Sequence, residues 1–128
     1  MKELFVSYEL ALKLKEKGFN EECFGFYWKK SHIFVYEISD KRTNDSNYFG
    51  APLYQQAVNW FDSKGIHIDI TPEFYKDGIN WNFQVWEYDP NGYKCTSDRS
   101  SGMYGDNHEY PTRKDAIIGG IQKALKYI

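Results

Sequence analysis

A chain of 128 residues with 16 basic and 18 acidic side chains carries a formal charge of -2, which argues against a polycationic binder of nucleic acid. Its two cysteines, Cys23 and Cys95, are too far apart for a zinc knuckle or a redox CxxC pair, and no run of about 18 apolar residues is present to cross a membrane. Aromatic residues make up 19% of the chain, from 4 Trp, 11 Tyr and 9 Phe, so one core can be built without metal or disulfide support.

The length predicts a single domain over residues 1–128. No charged leader followed by an apolar segment opens the chain, which predicts a cytoplasmic protein.

Taken in order, the first element is a helix over 7–17. Leu10, Ala11 and Leu14 form its apolar side, Ser7 is placed to cap it, and Gly18 can end it in the left-handed region. Strands over 24–30 and 33–38 follow, where Phe24, Phe26 and Trp28 alternate with Gly25, Tyr27 and Lys29. Ser39–Tyr48 is polar without periodicity and reads as an exposed loop.

Pro52 suits the first turn of a helix over 52–64, with Leu53, Ala57, Val58 and Phe61 on one stripe and Gly65 as its stop. Ile66, Ile68 and Ile70 alternate with His67, Asp69 and Thr71 and predict a strand over 66–71, after which Thr71-Pro72-Glu73 opens a connection. The central strand, over 79–88, sets Ile79, Trp81, Phe83 and Val85 on one face and Asn80, Asn82 and Gln84 on the other. Asp89-Pro90-Asn91-Gly92 reverses the chain into a strand over 93–97.

Arg99–Tyr110 has no sustained apolar pattern and reads as a long loop. Thr112 caps a last helix over 112–127, in which Gly119 and Gly120 make sense if the helix crosses closely over a sheet. The fold class is therefore α+β, a mainly antiparallel sheet of about five strands with two or three helices, in the order α-β-β-α-β-β-β-α.

No catalytic constellation stands out. Cys23 or Cys95 with His108 as base and Asp106 or Glu109 as its orienting group would make a cysteine/histidine hydrolase, but no local motif favours it. His67 and Asp69 share a strand face, and with Asp106 and His108 they would make a divalent-ion site; the wet face of a sheet explains the pair without an ion. Neither a GxGxxG nor a Walker sequence precedes a helix, so neither a cofactor nor a metal is expected.

The favoured expectation is a non-enzymatic module for protein interaction or self-association, possessing Trp86, Tyr88, Tyr93, Tyr104 and Tyr110 as contact residues. The alternative is nucleic-acid binding. From Pro52 onward the order of elements resembles a double-stranded-RNA-binding domain, with Arg113 and Lys114 at the start of the last helix and Trp86, Tyr88 and Tyr93 as stacking residues for a single strand.

The opening KELFVSYELALKLKEKGFNEECFGFYW, the middle APLYQQAVNWFDSKGIHIDI and the ending YPTRKDAIIGGIQKALKYI resemble small proteins from phages and prophages of gut Bacteroides and their relatives. The resemblance spans nearly the whole chain and implies a phage-derived context and a cytoplasmic protein, with no activity to carry onto a residue.

Overall fold

A computed structural model describes residues 2–36, 46–95 and 109–128. The chain divides into two compact units, Met1–Ala57 and Val58–Ile128. The fold is α+β; the described residues form antiparallel strands in two sheets and three α-helices.

In the first unit, helix α1 (Tyr8–Glu16) begins at Ser7, whose hydroxyl accepts the Leu10 N–H at 3.3 Å. It ends as Gly18 takes φ +100, with the Gly18 N–H bonded to the Lys15 carbonyl and the Phe19 N–H to that of Leu14. These paired bonds satisfy carbonyls the helix would leave open, and Phe19 folds back into the core.

The first sheet has the order β2-β1-β3, from β1 (Gly25–Trp28), β2 (Phe34–Tyr36) and β3 (Tyr48–Ala51). Strand β3 corrects the sequence reading, which ran the preceding loop to Tyr48 and assigned no strand here. Its apolar positions Phe49 and Ala51 are too few to show a period, and only pairing along β1 fixes them. Residues 37–45, which hold the rest of that expected loop and Ile38, lie outside the described residues.

One face of this sheet is a ring cluster. Tyr27 lies opposite Phe34 and Phe49, Tyr8 of α1 stands edge-on to Tyr27 at 5.6 Å, and the Tyr27 hydroxyl donates to the Val6 carbonyl at 2.8 Å. A Cβ on Gly25 would come within 2.7 Å of both Phe34 and Phe5, so the rings themselves dictate glycine at that position. The β1–β2 turn lacks an Asn-Gly signal because His32 takes the left-handed conformation, at φ 58, and stacks its ring on Tyr8 at 3.6 Å.

Helix α2 (Tyr54–Ser63) contains the division between the units. The second unit continues through Gly65, at φ +78, into a meander of order β4-β5-β6, from β4 (Ile66–Tyr75), β5 (Gly78–Asp89) and β6 (Gly92–Cys95). Strand β4 is longer than expected: Pro72 does not end it, and the residues read as a connection extend the hairpin through Phe74 and Tyr75.

Helix α3 (Arg113–Ala124) starts at Thr112, whose hydroxyl accepts the Asp115 N–H at 3.1 Å, and a 3-10 turn over Leu125–Tyr127 completes it. It lies on the sheet face formed by Ile66, Ile68, Phe83 and Val85. A Cβ on Gly120 would reach the Ile68 Cγ2 at 2.6 Å, and one on Gly119 the Tyr110 hydroxyl at 2.6 Å. The expected close crossing is therefore present, and it consumes both glycines.

Candidate interaction surface

The β4–β5 hairpin is paired from Ile66–Glu87 to Tyr75–Gly78. Because side chains alternate along each strand, Ile66, Ile68, Ile70, Pro72 and Phe74 share the α3 face with Ile79, Trp81, Phe83 and Val85. Burial falls along that face. Val85 is sealed and Phe83 is 7% exposed, but the pair at the tip, Phe74 and Ile79, is 75% and 46% exposed. The tip is thus a wet apolar pair on a ribbon whose other end is anchored in a core.

The opposite face of the tip is polar. Tyr75 O–H and the Asn80 amide both donate to the Glu109 carboxylate, the latter at 3.2 Å. That bond to Glu109, together with slight desolvation, raises the Tyr75 phenol above its ordinary range. One residue on, Trp81 and Tyr110 exchange two backbone bonds of 2.8 Å, which fix Glu109 over the hairpin.

Deeper on the same polar face, Asn82 is 1% exposed and donates to Glu73 at 2.8 Å. Its Oδ1 has no hydrogen-bond partner among the described residues.

The residues expected to form a contact surface are divided by this geometry. Trp86 and Tyr88 lie on the polar face towards the anchored end, with Trp86 half-buried opposite His67 and Tyr88 58% exposed. Tyr93 pairs with Tyr88 in the register. Tyr104 lies outside the described residues, as do Asp106 and His108.

Tyr110 does not close over Trp86 and Tyr88. It is half-buried on the α3 face, its ring 6.0 Å from Phe83, with burial and then Asp115 raising its phenol. Arg113 and Lys114 are exposed at the start of α3, followed at once by Asp115.

Sequence reasoning missed Phe74, Tyr75 and Ile79 as a group. The signal was present, since the period of two runs on through Pro72 to Phe74 and the Asp77-Gly78 turn follows. Pro72 was read as a break. Proline is admitted at an edge-strand position whose nitrogen faces away from the ladder, and β4 is an edge strand.

Chemistry is sparse elsewhere. Cys23 is buried, its thiol directed to the Glu21 carbonyl at 3.4 Å. His67 lies 3.0 Å from the Asp62 carboxylate, and among the described residues no three His, Cys, Asp or Glu side chains gather as metal ligands. In the first unit a cleft of about 220 Å³ lies between Lys15, Phe19 and Asn20 on one side and Tyr48 to Gly50 on the other. Burial, then the neighbouring Lys29, lowers the Lys15 ammonium pKa, and its Nζ sits 5.8 Å from the Phe49 ring centroid. Glu21 in the same lining opposes an anion there.

No protein-family model, curated protein or solved structure matches the chain.

Proposed function

We propose that the protein is a non-enzymatic interaction module that presents the end of its β4–β5 hairpin to a protein partner. The observation that carries this reading is the exposure of Phe74 at 75% and Ile79 at 46%, side by side on a ribbon held rigid at its base. Covering Phe74 alone is worth about 2 kcal/mol. Tyr75, 52% exposed at the same tip, extends the contact on the other face, with a ring that buries area and a hydroxyl bonded to Glu109.

The base of the hairpin supports this role because its alignment does not depend on the tip. Ile68, Phe83 and Val85 are buried beneath α3, and the Glu109 bridge stiffens the end itself. A preorganised ribbon loses little entropy on docking.

A photo-crosslinking residue, p-benzoylphenylalanine, in place of Phe74 or Ile79 in the native host is expected to yield a discrete protein adduct. The same residue in place of exposed Gln122 on α3 should yield none. Absence of an adduct from both hairpin positions would refute the proposal.

A further inference from the structure

The outward direction of every backbone group on β4 follows from one contact on the far side of the sheet. Trp81 spends both its N–H and its carbonyl on Tyr110, at 2.8 Å each, so neither turns towards β4. Its partner Pro72 therefore sits in a non-hydrogen-bonded pair, and the alternation of the antiparallel ladder sets the rest. Thr71 and Glu73 bond inward to β5, while Ile66, Ile68, Ile70 and Phe74 turn N–H and carbonyl outward, and Pro72 its carbonyl. The Tyr88 N–H confirms the phase, donating across the ladder to the Gly65 carbonyl at 2.7 Å. Among the described residues no strand pairs with this outer edge.

Resting on the interaction reading above, we infer that the partner is a second copy of this chain, joined by antiparallel pairing of β4 with β4 about a two-fold axis at Ile70. Symmetry and hydrogen bonding select that register. With Ile70 opposite its copy, Ile68 faces Pro72 and Ile66 faces Phe74, and about eight main-chain bonds form despite the proline. Centring on Ile68 shortens the ladder to about six, and centring on Pro72 places two residues without an N–H against each other.

No like charges are opposed in that register. On the polar face His67 falls opposite Glu73 of the second copy and Asp69 opposite Thr71, and both pairs occur twice. On the apolar face the exposed Phe74 comes to lie beside the position of the other copy's Ile66.

Sedimentation equilibrium from about 1 to 100 µM tests the inference. The wild-type chain is expected to dimerise. Thr71→Glu, which sets a carboxylate against Asp69 at both symmetric positions, should weaken the dimer about tenfold, and Asp69→Lys with Thr71→Glu should restore it. A register test uses Asp69→Cys and Thr71→Cys chains: under mild oxidation, mixing them should give a disulfide-linked pair that neither gives alone above the wild-type background.

A monomer at about 100 µM overturns the inference, as does a dimer indifferent to Thr71→Glu or a mixture that fails to cross-link. The hairpin adducts distinguish the two proposals. An adduct of another mass retains the interaction reading and removes the second copy as partner, whereas no adduct at either hairpin position removes the reading itself.

Discussion

Substituting Gly120 with alanine sets two effects of known size against each other. Helix propensity alone favours alanine by about 1 kcal/mol in a helix interior. The new Cβ, however, would stand 2.6 Å from the Ile68 Cγ2 and 3.5 Å from Phe83. Carbon atoms in contact rest at roughly 3.5–4.0 Å, so α3 and β4 must separate by about 1 Å or Ile68 must leave its rotamer. Ile68 is buried at 4% exposure and branched at Cβ, and it cannot swing aside as a long side chain would. Overpacking of this kind costs about 1–3 kcal/mol, which leaves Gly120→Ala destabilising by about 1 kcal/mol. Urea unfolding followed by tryptophan fluorescence measures the difference. Ile68→Leu removes the Cγ2 branch, so the double variant should recover part of the loss and give a coupling of about 1 kcal/mol. A Gly120→Ala protein more stable than wild type by the full propensity gain would refute the close crossing of α3 over the sheet.

Phe74→Ser should leave unfolding stability within about 0.5 kcal/mol of wild type, because the ring is 75% exposed, while weakening association; a large loss of stability would make Phe74 a core residue. Tyr27→Phe removes the buried bond to the Val6 carbonyl and should cost about 1 kcal/mol in urea unfolding. Burial first, then Tyr54 and Glu9, raises the Tyr27 phenol above its ordinary 10.0. The stabilisation this represents is full below about pH 10 and is lost as pH rises through the raised value, so the alkaline fall in stability should be shallower in Tyr27→Phe. A gel-shift series with double-stranded RNA should show no salt-sensitive complex at micromolar protein, since Arg113 and Lys114 are followed directly by Asp115; a complex that weakens steeply with salt would favour the nucleic-acid alternative.

Elements with strong periods were legible in the sequence. The two-residue alternation of Ile66 to Ile70 and of Ile79 to Val85 predicts the strands that form, and Ser7, Gly18 and Thr112 mark helix ends through bonds seen in the structure. Strand β3 was not legible because Tyr48–Ala51 owes its conformation to β1, a neighbour remote in sequence. The full length of β4 was hidden by Pro72, whose acceptability depends on which way its nitrogen faces. That direction is decided by Tyr110, 38 residues along the chain, through Trp81. The site was legible only in kind. Exposed rings on the central hairpin were expected, but the residues named were towards its anchored end, whereas the most exposed apolar side chain is Phe74 at the tip.

The two edges of the second sheet are treated unequally, and this directs any pairing. Along β5 the side away from β4 is occupied by β6 at Trp86–Asp89 and by Tyr110 at Trp81. The opposite edge is β4, 10 residues long, against edge strands of 3 and 4 residues in the first sheet. A strand of 3 or 4 residues turns only one or two residues outward, too few to compensate the ordering of a partner, whereas β4 turns five. Edge strands that stay unpaired are blunted by inward charges, bulges or proline. Strand β4 carries Asp69 and Glu73 on its polar face and one proline, and Pro72 lies off the Ile70 axis, where it removes one bond at each symmetric position and leaves the central pair complete. Moving the proline should therefore have a larger effect than its presence does. Ile70→Pro would remove both central donors of the dimer without touching the ladder to β5, and Ile70→Val controls for the lost packing. Sedimentation should show the proline variant monomeric and the valine variant dimeric, and equal dimerisation of the two would place the contact away from this edge.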